Sequence, residues 1–200
     1  PHGGKGLTIC LLEGAELEAE KSKAAGLKKV TISPRVKGDL IMLGNGGMPT
    51  GDEDFPRVFK VWRAFARFSP WFPIGRIVQW GSATRLDPEV VAAYDAPFPD
   101  DSYKAGARAF PALVPITPDD PASEANRRAW AVLMNWEKPF LTTFSDKDPI
   151  LGGGEKLFKK LVPGAAGQPH VIIEDGGHFL QEDKGEEIAA VMIEFIARDT

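Results

Sequence analysis

The amino-acid sequence predicts an α/β fold, a parallel sheet with crossover helices that is interrupted by an inserted block of helices. Three observations lead there. Short apolar runs alternate with helix-forming stretches at the start of the chain, and the alternation returns over the last third. Between them the texture changes to prolines beside numerous Phe and Trp, concentrated from Pro49 to Pro121. Strand–helix–strand order implies parallel strands. A middle poor in long regular elements and rich in large rings suits a subdomain folded over a site and lining it. The boundaries read as 1–52 and 137–200 for an incomplete core and 53–136 for the helical insertion.

Taken in order, Gly6–Leu12 is an apolar run fit for a buried strand, and Ala15–Ala25 is rich in helix-forming Ala, Glu and Lys before Gly26. Val30–Ser33 reads as a brief strand, and Leu40–Leu43 as another, ended by the glycines of GNGGMPTGD (44–52). VFKVWRAFARF (58–68) has apolar residues at helical spacing until Pro70 and Pro73 interrupt it, and Ile74–Trp80 reads as a short amphipathic turn or helix. Asp87, Pro88 and Glu89 form a helix start. Ser102 is expected to cap a helix through Phe110, and Ser123 another through about Trp136. PFLTTFS (139–145) and HVIIED (170–175) are strands flanking a helix, GEKLFKKLV (154–162), and GEEIAAVMIEFIARD (185–199) is a terminal amphipathic helix.

Composition narrows the function classes. A net charge of −4 gives no basic footprint for nucleic acid and no polybasic patch for a membrane surface. No window reaches the roughly 18 uninterrupted apolar residues of a membrane span. The start, PHGGKGLTIC, lacks the layout of a signal peptide, and one cysteine, Cys10, suits a reducing compartment. The chain therefore reads as soluble and cytoplasmic, with no nucleic-acid or membrane partner, no cofactor and no metal site.

The chemistry concentrates at two strand ends. The strand 139–145 runs into Asp146, Lys147 and Asp148, and the strand 170–175 into Gly176, Gly177 and His178. Ligands of an open parallel sheet sit outside the carboxyl ends of its strands, so both segments point at one rim. An acid after one strand and a histidine after the next supplies a general base and the carboxylate that orients it. Glycines ahead of the histidine let the chain turn sharply and leave the imidazole uncrowded. Asp146 and Asp148 compete for the acid position; His170, at a strand start after Pro169, reads as structural.

The strings AYDAPFPDDSYKAGARAFP (93–111), FSDKDPILGG (144–153) and DGGHFLQED (175–183), together with GNGGMPTGDEDFP (44–56), are similar to the haloalkane dehalogenases. The likeness runs from about Asp39 to Thr200 and implies a partial α/β-hydrolase fold with an inserted helical cap. It selects Asp148 as the catalytic acid and His178 as the base. In that family an aspartate displaces halide to form an alkyl ester, and the histidine activates water to hydrolyse it; the intermediate splits one difficult displacement into two easier steps. Departing halide needs donors in an apolar pocket, and the resemblance puts Trp80 where the cap tryptophan stands. Phe68, Phe72 and Phe110 are candidate pocket residues, and Trp62, Trp71, Trp130 and Trp136 read as packing. The substrate implied is a small halogenated or ester-like organic molecule.

The family's nucleophile motif has no counterpart here. The corresponding run, LTICLLEGAEL (7–17), holds neither Asp nor Trp. Glu13 is its nearest carboxylate, one methylene too long for a group that must be placed to within about 0.5 Å, and Cys10 sits inside the apolar run. The expectation is an N-terminally truncated or divergent relative whose exposed sheet edge offers a route to self-association. Two alternatives stand beside dehalogenation. One is ester or epoxide hydrolysis, with Tyr94 or Tyr103 polarising an epoxide oxygen; the other is an inactive relative serving as an interaction module.

Overall fold

A computed structural model describes residues 40–198. The predicted elements ahead of Leu40, and with them Glu13 and Cys10, lie outside the described residues. Three parallel strands form one sheet in the order β1 (Ile41–Gly44), β2 (Phe140–Ser145), β3 (Val171–Ile173). Ile41 pairs with Phe140 and Gly44 with Thr143; Thr143 pairs with Val171 and Ser145 with Ile173.

All six residues of β2 are buried, as expected for a parallel strand covered on both faces. Strand alternation sorts the core into two layers. On one face Ile41, Leu43, Phe140 and Phe144 pack with Trp130, Leu133, Phe158 and Val162. The Phe158 ring stacks on both Trp130, at 4.9 Å, and Phe140, at 5.9 Å. On the other face Leu40, Met42 and Leu141 meet Phe195 and its neighbours on the terminal helix. Trp130 is thus a core residue, and its indole N–H donates to the Met48 carbonyl at 2.8 Å.

Five helices lie in sequence between β1 and β2: α1 (Arg57–Phe68), α2 (Ile74–Gly81), α3 (Pro88–Asp95), α4 (Ala105–Leu113) and α5 (Ser123–Leu133). α1 stops at Ser69 because Pro70 disfavours a helical residue before it. α1 packs on α4 and α2 on α3. Arg108 of α4 reaches the free carbonyls at the end of α1, Ala66 at 3.0 Å and Ser69 at 2.8 Å, and its guanidinium lies over the Phe72 ring. Between β2 and β3 runs α6 (Glu155–Leu161), and α7 (Leu180–Arg198) follows β3.

Two expected helix starts differ. Ser102 caps no helix; it belongs to a 3₁₀ turn (Asp101–Lys104) in which the Asp100 carboxylate accepts its N–H, and α4 begins only at Ala105. Ser123 is helical and buried, and its hydroxyl donates to the Thr117 carbonyl at 2.9 Å instead of capping α5. The terminal helix is where it was expected: non-helical backbone at Lys184 (φ −141°, ψ 36°) separates a first turn at Leu180 from the helix that runs on from Gly185 within α7. Among the described residues no helix is long and apolar enough to cross a membrane, and no group of three His, Cys, Asp or Glu could hold a metal ion.

His170 ties the strands together. Its Nδ1 accepts the Thr142 N–H at 3.0 Å, so the proton sits on Nε2 and is donated to the Ala165 carbonyl at 2.8 Å. Burial holds its pKa below the usual histidine value, against the Ala165 acceptor and with help from the Lys159 charge. Native His170 therefore resists a proton that the unfolded chain takes up near pH 6.5. Stability from this group is complete above about pH 6.5 and falls as the pH drops toward the native value. His170→Ala is expected to cost about 1–3 kcal/mol and to flatten this part of the pH profile, as read by urea midpoints between pH 5 and 7.

Candidate active site

β2 delivers its acid through a tight turn. After Ser145 the chain stays paired to the β3 side, with Asp146 N–H on the Ile173 carbonyl (3.2 Å) and Lys147 N–H on the Gly176 carbonyl (3.1 Å). Asp148 then turns inward. Its Oδ1 accepts the N–H groups of Ile150 (2.8 Å) and Leu151 (3.2 Å), leaving Oδ2 to accept from His178 Nδ1 at 3.0 Å. The Asp148 side chain is completely buried, whereas that of His178 is 28% exposed. Burial opposes the carboxylate charge, but the His178 bond and charge and the two amides outweigh it, so the Asp148 carboxyl lies below the ordinary aspartate range. Asp146 is exposed, and of the two competing acids it is Asp148 that meets the histidine.

An ionised Oδ2 acceptor places the proton of His178 on Nδ1 and turns Nε2 outward as a base. Among the described residues Nε2 has no hydrogen-bond partner. The histidine backbone is equally constrained, since its N–H donates to the Gly81 carbonyl at 2.7 Å. The glycines ahead of it serve a different purpose from the sharp turn expected of them. The left-handed residue in this segment is Asp175 (φ 58°), whereas Gly177 lies where another segment crosses. A Cβ on Gly177 would stand 2.6 Å from the Gly81 carbonyl oxygen and 2.7 Å from the Ala83 nitrogen. Close approach, not turning, requires glycine there.

Two groups that sequence reasoning missed complete the frame. Asn45, at the end of β1 (φ 36°), donates through Nδ2 to Ser145 Oγ (2.8 Å) and the Gly177 carbonyl (2.9 Å), and its Oδ1 accepts the Ser145 N–H (2.9 Å). One amide thus joins the three strand ends. The signal available was an Asn directly after a strand, a residue that tolerates left-handed backbone. The other group is the adjacent pair Glu182 and Asp183. Tyr94 donates to Glu182 Oε1 at 2.5 Å, and Asp183 accepts from Ala83, Thr84 and Gly177. Tyr94 is pushed up to about 12 by the Glu182 bond first, then by burial and the Glu182 charge. Its hydroxyl is committed to Glu182, and Tyr103 is exposed, so neither is drawn into a catalytic position.

Of the four aromatic candidates, Phe72 and Trp80 both stand against the Phe65 ring, at 5.8 and 6.5 Å. Trp80 is 59% exposed on the last turn of α2, its ring edge-on to Trp71 at 5.9 Å. Its neighbour Gly81 is the residue whose carbonyl takes the His178 N–H, so Trp80 and His178 flank one backbone crossing. Phe72 is 2% exposed and stacks with Trp62 at 5.9 Å, within the aromatic core of the inserted helices. Phe68 is 72% exposed beside the Arg67 guanidinium, and Phe110 is exposed on α4. A surface hollow beside the kink of α7, lined by Gln181–Glu187, includes none of these rings.

A parallel sheet carrying an acid after one strand and its histidine after the next defines a partial α/β-hydrolase. Comparison with known proteins takes this further. No family model matches the chain. A haloalkane dehalogenase of Psychrobacter cryohalolentis is 51% identical over 171 residues, covering 86% of this chain and 56% of that protein. The tetrameric haloalkane dehalogenase of Paraglaciecola agarilytica NO2 superposes with a TM-score of 0.66 at 29% identity, over 75% of this chain and 50% of that one. Over the residues these relatives match, the chain is similar to the haloalkane dehalogenases, and it spans about half the length of the curated dehalogenases it matches. A stretch of 47 residues, 24% of the chain, is in addition 77% identical to the sulfate adenylyltransferase of Desulfatibacillum aliphaticivorans, of which it covers 11%.

Proposed function

We propose that the chain carries the acid–histidine half of a haloalkane dehalogenase, built to hydrolyse a carbon–halogen bond of a small organic substrate to an alcohol and halide. The observation that carries this reading is the 3.0 Å bond from His178 Nδ1 to a buried Asp148, on a histidine whose side chain is part-exposed and whose Nε2 has no partner among the described residues. In the proposed reaction a carboxylate, for which Glu13 is the candidate in the sequence, displaces halide from carbon to form an alkyl ester. His178 then takes a proton from water, and that water cleaves the ester to the alcohol and the free carboxylate. Residues 53–136, with α1 to α5, form the cap over the site; of its aromatic candidates Phe68 and Phe110 are exposed for a substrate to meet, whereas Phe72 is held in the cap's own core. Bromide release from 1-bromobutane or 1,2-dibromoethane tests the proposal, with His178→Ala as the control. Release above that control supports it; folded protein that releases no more than the variant does not.

Trp80 is the proposed halide donor on the cap side. Its indole is exposed at the end of α2, one residue from the carbonyl that holds His178. Saturable quenching of tryptophan emission by bromide is expected, and Trp80→Phe should remove the saturable part. Quenching that stays linear in bromide in both proteins would count against the assignment. The single cysteine and the absence of disulfide chemistry support a cytoplasmic setting.

A second reading, an inactive relative acting as an interaction module, is favoured by a specific observation. The run LTICLLEGAEL (7–17), where the nucleophile would stand, holds neither Asp nor Trp. On this reading β1, an edge of the described sheet, pairs with a second copy. Concentration-dependent association in sedimentation, without bromide release, would select it.

A further inference from the structure

We propose that Asp183 is a positioning residue that locks the Trp80 end of α2 to the His178 loop, so that the halide side and the base of the site keep a fixed separation. The inference rests on the roles assigned above to Trp80 and His178. Asp183 lies in the first turn of α7, just ahead of the break at Lys184, and its carboxylate accepts four hydrogen bonds. Oδ2 takes the N–H groups of Ala83 and Gly177, each at 2.8 Å. Oδ1 takes the N–H and the hydroxyl of Thr84, at 2.8 and 2.5 Å. One carboxylate therefore holds the loop after α2 and the residue before the histidine at once.

The same crossing is closed by backbone alone on its other side. The Gly81 carbonyl receives the His178 N–H at 2.7 Å and the Phe179 N–H at 3.2 Å. Contact is so close that a Cβ on Gly81 would fall 2.5 Å from the Phe179 ring, and one on Gly177 3.0 Å from Asp183 Oδ2. Backbone bonds of this kind hold position only while the two segments stay pressed together, and charge-assisted bonds to an acceptor with four donors are the strongest means present of keeping them so. Glu182, the preceding residue, takes the Tyr94 hydroxyl of α3 and pins the next helix of the insertion beside it. A cap helix end, the histidine loop and the start of α7 thus meet at one carboxylate. Through Gly177 and the His178 N–H, that carboxylate sets where the imidazole stands relative to the Trp80 indole.

Asp183→Asn tests this in the full chain, because a carboxamide keeps one acceptor and turns an amino group toward N–H donors. Hydrogen exchange at Ala83, Thr84, Gly177 and His178 is expected to accelerate together, on the order of tenfold, while β2 amides keep their wild-type rates. The titration midpoint of His178, followed by nitrogen-edited NMR, should also move. Should Asp183→Asn not fold, Thr84→Val removes a single donor and is expected to accelerate the same amides less, with Thr84→Ser restoring wild-type rates. Wild-type exchange at Gly177 and Thr84 in a folded variant overturns the lock. Faster exchange with an unmoved His178 titration overturns the positioning role and leaves a purely structural contact. Neither readout needs turnover or halide binding, so a failure of the dehalogenase reading, seen as no bromide release and no saturable quenching, is separable from a failure of this one.

Discussion

Gly164→Ala is expected to prevent the chain from folding at 37 °C. Gly164 lies in the short 3₁₀ turn after α6, its N–H bonded to the Trp136 carbonyl at 2.7 Å. A Cβ there would stand 1.8 Å from the carbonyl oxygen of Lys138 and 3.0 Å from that of Trp136. Both obstacles are backbone, so no rotamer change relieves them. Neither side can yield cheaply. The strand side is fixed through the Pro139 carbonyl, which accepts the Ile41 N–H, and the turn side through Ala165, which is buried and holds His170. Forcing these segments apart would open the face of the core where Phe140, Phe158 and Val162 meet. A loss of about 4 kcal/mol or more is expected, a large part of the roughly 5–15 kcal/mol that ordinary domains possess. Two other glycines serve as controls. Gly153→Ala meets nothing within 4 Å but sits at φ +83°, and should cost about 1–2 kcal/mol. Gly106→Ala, in open space within α4, should stabilise by about 0.4–1 kcal/mol. Urea midpoints of the three, compared with wild type, decide the matter; equal midpoints for Gly164→Ala and Gly106→Ala would refute the packing argument.

His178→Ala and Asp148→Asn are expected to lower steady bromide release by about 10²–10⁴-fold each. The first removes the base. The second acts through the tautomer: an amide at 148 still accepts the Ile150 and Leu151 N–H groups, but can present its amino group to His178 Nδ1. That exchange moves the imidazole proton to Nε2, where it blocks uptake of a proton from water. Neither residue is the proposed nucleophile, so a variant that still displaces halide should release at most one bromide per chain before stopping. Steady release at the wild-type rate from either variant would remove His178 and Asp148 from the proposed reaction. Acid adds a separate signature. Because the Asp148 carboxyl titrates lower in the native state than unfolded, its contribution to stability is complete above about pH 3.9 and disappears as the pH falls through the native value.

The strands and the acid–histidine pair were legible because each depends on neighbours in sequence. FLTTFS is apolar or β-branched throughout, the pattern of a strand buried on two faces, and an acid or histidine directly after such a run must emerge on one rim of the sheet. Asn45 and Asp183 were not legible, for the opposite reason. The Asn45 bonds to Ser145 and Gly177 and the Asp183 bonds to Ala83 and Thr84 span about a hundred residues or more. In the sequence Asn45 is only a turn former between glycines and Asp183 only an acid in a helix start. The serines failed differently. Ser102 and Ser123 have the composition of helix caps, but a better-placed Asp100 and the carbonyl of Thr117, six residues back, take over. Similarly, the glycines before His178 look like turn residues until the crossing strand of chain at Gly81 is seen.

The acid and the histidine depend on β2 and β3, two strands hydrogen-bonded to each other with Ser145 opposite Ile173. The strands that carry them are therefore set at the inter-strand spacing, about 4.8 Å in any sheet, while the inserted helices add only the hold of the Gly81 end of α2 and the loop after it on the histidine loop. A lineage can thus rewrite the insertion freely without retuning its proton-transfer machinery, with one boundary condition. Any replacement must still offer a bare glycine carbonyl and two consecutive amides where Gly81, Ala83 and Thr84 now meet the histidine loop. Exchange of insertions between relatives should succeed or fail on that short edge, far more than on the aromatic interior it carries.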